Sequence, residues 1–194
     1  MKKENELKKL VEQTKKKEKT KKEKVDVKWI ITVVIVTFII SFGLSFIANF
    51  TIPNLSLIFG VLITLIFIFI GILFDIIGVS VTSADEKVFH SMASRKVKGA
   101  SVAVKLKKNA DKTSSFCCDV IGDICGVISG ASGTTICALL VSKYDTNLLL
   151  TGLIIAAVIS SLTIGGKAIG KSFAINKSDI ILYGFSKFIS NFYH

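Results

Sequence analysis

From Trp29 to Phe50 the chain runs for 22 residues without a charge, and three more long apolar stretches follow it. A helix crossing a bilayer needs about 20 mostly apolar residues, because about 30 Å of hydrocarbon is traversed at about 1.5 Å per residue. The stretches 29–50, 55–82, 116–141 and 147–166 all meet that length. The second contains one charge, Asp75, the third contains Asp119 and Asp123, and the fourth contains none. The expected fold is therefore an all-α membrane protein. It has four transmembrane helices plus a cytoplasmic amphipathic loop and a C-terminal interfacial helix. Composition agrees: 51% of residues are hydrophobic, with a single proline, and apolar and polar residues are segregated into blocks.

The net charge of +11 raises nucleic acid as a partner, but the placement of the charges argues against it. Of 25 Lys and Arg residues, twelve precede Trp29, eight lie in 83–115, four lie from Lys167 onward, and only Lys143 falls elsewhere. No aromatic stacking platform accompanies them, so they read as flanks of membrane spans and not as an RNA or DNA surface. Basic residues beside span ends resist translocation. The alternation from one loop to the next therefore predicts a multi-pass protein of the plasma membrane with both termini in the cytoplasm. A cleaved signal peptide is the competing reading of the first span. The charged leader before Trp29 and the length of the apolar run oppose it. The links 51–54 and 142–147 are short, so the spans they join are expected to form tight antiparallel pairs.

The parts outside the spans have their own patterns. Residues 1–28 form a basic arm rich in Lys and Glu, expected to be solvated, with adhesion to anionic lipid as the sharper reading. The loop 83–115 carries Val88, Met92, Val97, Val102, Val104 and Leu106 among charges, a spacing that suits a helical hairpin beneath the membrane. In the juxtamembrane segment 171–194, Ile181, Phe185, Phe188 and Phe192 recur at helical spacing, while Ser186, Lys187, Ser190 and Asn191 are expected to face away. That stripe suits a helix lying in the interfacial plane.

The third span holds the most informative residues. Gly122, Gly126 and Gly130 recur every four residues and line one helix face. Helices in lipid associate through such small residues, so close packing, including a homodimer, is the first reading, and a helix thinned to line a cavity is the second. Asp119 and Asp123 lie one turn apart. Asp75 on the second span and Asp123 on the third both sit about 10 Å from the inner boundary. Acids at matched depth on different helices either pair or face a watery site. Such a cluster suits a magnesium ion with its waters, or else a salt bridge or hydrogen bond that locks the helices. Cys117, Cys118, Cys125 and Cys137 match no zinc spacing and read as small packed residues, not as disulfide partners. His90 and His194 stand alone. No nucleophile elbow, phosphate loop or dinucleotide fingerprint is present, so no enzyme and no organic cofactor is expected.

Several short motifs occur in a telling order. Phe74-Asp-Ile-Ile-Gly78 is followed by Ser80 and Ser83, then by Asn109-Ala-Asp111 and Gly122-Asp123. After the last span comes Gly166-Lys-Ala-Ile-Gly-Lys171, with Ser172 and Ala174 beyond. From about Gly60 onward this order resembles the transmembrane domain of the CorB/CorC and cyclin M magnesium transporter family. That domain has three spans and a juxtamembrane helix. The family's corresponding patterns are Phe-Ser-x-x-Glu with a later Ser, Asn-Pro-Asp, Gly-Asn and Gly-Glu-x-x-Pro-Lys. The resemblance makes residues 55–194 the transporter-like domain and 29–50 an added N-terminal helix. The family's cytoplasmic sensing domains have no counterpart here. It implies transport or homeostasis of a divalent cation, magnesium or also cobalt. Asp75, Ser80, Ser83 and Asp123 would then face the cation, with Asp119 and Lys167 modulating them. The departures are substantial, since two neutral ligand positions have become Asp75 and Asp123 and a family glutamate has become Lys167. The resemblance therefore leaves two expectations open. Lys167 either takes the place of the cation, leaving a scaffold or regulator that transports nothing, or it snorkels to the interface and frees the acids.

Overall fold

A computed structural model describes residues 27–51 and 56–192. The basic arm up to Asp26, the link 52–55, the side chains of residues 48–51 and of Phe192, and residues 193–194 lie outside the described residues, and with them the expectations made there. Among the described residues there are seven helices and no strand. They are α1 (Val27–Thr51), α2 (Leu57–Ser83), α3 (Glu86–Ser94), α4 (Ala100–Lys108), α5 (Ala110–Tyr144), α6 (Leu148–Asn176) and α7 (Ser178–Phe192). Four of these, α1, α2, α5 and α6, are long and apolar enough to cross a membrane, and the chain is an all-helical, multi-pass membrane protein.

The chain divides into a unit ending at Val34 and a larger one beginning at Ile35. In the first, the opening turns of α1 expose Val27, Ile30, Ile31 and Val34, and the Thr32 hydroxyl donates to the Lys28 carbonyl at 2.8 Å. In the second, the later part of α1 stacks Phe38 on Phe42 with ring centroids 6.2 Å apart.

The core of the larger unit is a bundle of α2, α5 and α6, each packed against the other two. Glycine sets the spacing of the bundle, because removing a side chain lets two backbones approach until dispersion contacts replace those with lipid. A methyl group on Gly170 of α6 would meet Ile76 Cγ1 of α2 at 2.8 Å, and one on Gly166 would collide with Ile72. Gly78 of α2 is closed off by Cys118 and by the Ser114 carbonyl in the same way. Outward-facing Leu, Ile and Phe side chains cover the rest of these helices, as a lipid solvent requires.

The helix ends follow the sequence. Asn147 accepts from the amides of Leu149 and Leu150 at 3.0 and 3.4 Å and so starts α6, while Asp145 turns the chain in a left-handed conformation at φ 54°. The fourth apolar helix continues to Asn176, well past 166, so residues 171–176 belong to it and the juxtamembrane helix is confined to Ser178–Phe192. The third begins at Ala110 and runs without a break to Tyr144. Its 35 residues extend about 50 Å, more than the hydrocarbon needs. Phe116–Gly122 within it is π-helical. Such a stretch carries one extra residue per turn and rotates everything that follows.

Outside the bundle, α3 packs against α4, and α4 packs against α7 and against α2. Val81, Ala84, Phe89, Ala103 and Leu182 make a small buried core there, with Met92, Val104 and Leu106 against it. Lys107 Nζ donates to the carbonyls of Thr82 and Val81 at 2.7 and 3.1 Å, which satisfies the C-terminal acceptors of α2 and sets a cation at the negative end of its dipole. The face of α7 turned inward is Ser178, Leu182 and Ser186. Ser186 is therefore buried, contrary to the outward position its polarity suggested, because its hydroxyl donates to the Tyr183 carbonyl at 2.9 Å and needs no water.

Candidate functional site

Three charged residues of the bundle, one from each core helix, converge at one place. Asp75 projects from the middle of α2, one turn after Gly71 and three residues before Gly78. Asp123 is the first residue after the π-helical stretch of α5. Lys167 follows Gly165 and Gly166 on α6. The Lys167 ammonium lies between the two acids, 3.5 Å from Asp123 Oδ1 and 3.9 Å from Asp75 Oδ1.

Packing explains why the three meet. A methyl group on Gly71 would touch Cys125 Cβ at 3.1 Å and the Gly122 carbonyl oxygen at 3.4 Å, so α2 and α5 cross almost backbone to backbone at this level. A methyl group on Gly122 would come within 3.5 Å of Lys167 Nζ. The lysine thus reaches over the bare backbone at Gly122 to span the two acids. An ammonium has three donors and no acceptor, which suits it to bridge two carboxylates.

The two partners differ in environment. The side chains of Asp75, Lys167 and Asp123 are 16%, 26% and 70% exposed. Asp75 is the shielded acid, with the Lys167 ammonium and the Cys118 thiol as its polar neighbours. Asp123 sits at the rim and is the weaker dependant.

The other expected site residues lie elsewhere. Ser80 is fully buried between α2 and α6, where its hydroxyl contacts the carbonyls of Ile76 at 2.7 Å and Ala174 at 3.5 Å. Ser83 is the last residue of α2, exposed, and about 12 Å along the helix from Asp75. Asp119, on the π-helical stretch, is exposed and makes no ion pair among the described residues. A resident magnesium ion requires near-octahedral oxygen ligation at about 2.0–2.1 Å. Two carboxylates bridged by an ammonium, with both serine hydroxyls directed away or distant, do not fit that requirement. No cluster of three or more His, Cys, Asp or Glu able to hold a metal is present among the described residues.

The glycine stripe is divided in its role. Gly122 is buried at the α2 crossing, whereas added methyl groups at Gly126 and Gly130 would meet nothing within 4 Å. These two line an apolar groove of about 590 Å³ between α5 and α6, together with Thr134, Ala156 and Ser160. Close-packed glycines of the bundle include Gly71, Gly78, Gly133, Gly166 and Gly170. All four cysteines are free, and Cys118 Sγ lies 3.6 Å from the Asp75 carbonyl, which ties the π-helical stretch to α2. Sequence reasoning missed Gly71 and Gly78 as the partners of the third span. Their seven-residue spacing on either side of Asp75 is a signal that finds them. The π-helical stretch and the Lys107 cap have no comparable signal.

No protein-family profile, curated protein or solved structure matches the chain.

Proposed function

We propose that the chain is a membrane scaffold or regulator that carries no ion, in which Lys167 stands where a divalent cation would otherwise balance Asp75 and Asp123. The observation that carries this reading is the ammonium of Lys167 between the two carboxylates at 3.5 and 3.9 Å. An internal cation offsets one of the two negative charges permanently, because it cannot leave down a gradient as a solvated ion does. The three core helices are then fixed, and α7 with the α3–α4 pair is presented at one face of the membrane. In this reading the protein lies in the plasma membrane with both termini in the cytoplasm, since the basic blocks flank the spans on one side. A second copy would associate along Gly126 and Gly130, whose open backbones suit close helix contact. The basic arm would hold to anionic lipid.

Isothermal titration with magnesium tests the reading directly. The wild-type protein is expected to show no saturable binding, and saturable binding would overturn the proposal.

The second reading, divalent cation transport, rests on its own observation. Acids from two different helices do converge, and Asp123 is exposed enough to meet a solvated ion. Magnesium or cobalt flux into proteoliposomes that is lost in Asp123→Asn and Asp75→Ala supports transport. A wild type without cation-dependent flux ends it.

A further inference from the structure

We propose that the open face of α7, with Lys98 and Lys177 at its two ends, is a docking surface for anionic phospholipid headgroups. The proposal is independent of whether the Lys167 cluster binds an ion.

The inner face of α7 is occupied. Ser178, Leu182 and Ser186 are buried, the Asp85 amide donates to Asp179 Oδ1 at 2.9 Å, and the Gly99 backbone packs on that of Lys187. The rotation of the helix about its axis is thereby fixed. What it turns outward is mixed: Ile180 is 70% and Phe188 64% exposed with Gly184 between them, and Lys187 and Asn191 are exposed on the same side.

Continuity identifies what covers this face. Ile164, Ile169 and Phe173 are exposed on α6, and only Lys177 separates the end of α6 from the start of α7. The 29 residues of α6 extend about 43 Å, longer than the hydrocarbon, so its last turns stand at headgroup level. The lipid-facing surface of α6 therefore runs directly into the open face of α7. The charges select the headgroup. Lys98 Nζ donates to Asn191 Oδ1 at 2.9 Å and so stands at the C-terminal end of the stripe. Lys177 Nζ stands at the other end, 5.4 Å from the ring centre of Phe173. The one acid of α7, Asp179, is already engaged by the Asp85 amide. Apolar side chains flanked by ammonium groups match the boundary between acyl chains and phosphates.

The test uses the full chain carrying Trp29→Phe and Phe188→Trp in nanodiscs. Brominated acyl chains are expected to quench the introduced tryptophan, and the same readout from Ile180→Trp guards against a local effect at one position. In mixed micelles of phosphatidylcholine and phosphatidylglycerol, native mass spectrometry is expected to find phosphatidylglycerol retained preferentially. That preference should fall about 5-fold for each of Lys98→Gln and Lys177→Gln, equivalent to about 1 kcal/mol per basic residue. Unquenched, water-like emission at both positions would overturn the proposal and point to an acidic protein partner instead. Quenching with equal retention of the two lipids would overturn the assignment to anionic headgroups.

Discussion

Lys167 on α6 is 3.9 Å from the carboxylate of Asp75 on α2, and both side chains are mostly withdrawn from solvent. A charge so placed depends on its partner, because neither the lipid nor the packed helix faces can solvate it.

Removing the ammonium should therefore be costly. Orphaning a fully buried charge costs about 3–5 kcal/mol, and for these partly shielded groups we expect Lys167→Met to lose about 1–3 kcal/mol. The checking measurement is the thermal midpoint in detergent. Adding Asp75→Asn to Lys167→Met should recover most of the loss, since the orphaned charge is then gone. No recovery would mean that the lysine acts through packing alone.

The two acids should respond unequally. Asp123 is 70% exposed, so Asp123→Asn is expected to change stability by less than about 1 kcal/mol, while Asp75→Asn changes it more. Denaturation of the two single variants under the same conditions reads the difference directly.

Glycine substitutions should divide along the α2–α5 crossing. Gly71→Val places its side chain against Cys125 Cβ and the Gly122 carbonyl and is expected to cost about 1–3 kcal/mol. Gly130→Ala enters open space and gains about 0.5–1 kcal/mol from helix propensity. Melting curves of the isolated monomer compare the two. If association along the groove takes place, cross-linking yield should fall in Gly130→Ile while monomer stability holds.

The helical hairpin hangs on two contacts. Gly99 has φ 88°, and a methyl group there would meet the Lys187 backbone at 2.9–3.0 Å, so Gly99→Ala is strained twice over. It is expected to loosen α7, seen as faster hydrogen exchange at residues 180–190. Lys107→Met removes the donor to Thr82 and Val81 and should cost about 0.5–2 kcal/mol, with faster exchange confined to the last turn of α2.

Much of this architecture is legible along the chain, because lipid imposes a length and a polarity on each segment separately. The uncharged run from Trp29 and the length of each apolar stretch are local properties, and local physics suffices to read them. The matched depth of Asp75 and Asp123 is also arithmetic on helical rise. Which side chain met them was not. Lys167 had two outcomes of similar cost, an ion pair or a path to the interface, and the choice turned on the bare backbone of Gly122 lying beneath its ammonium. The same holds for the glycines. Any small residue permits close approach, but the crossing of α5 with α2 decided that Gly122 would be covered while Gly126 and Gly130 would be left open. Sequence thus determined what each segment is. Tertiary structure decided who neighbours whom, because that depends on rotations and crossings summed over helices distant in the chain.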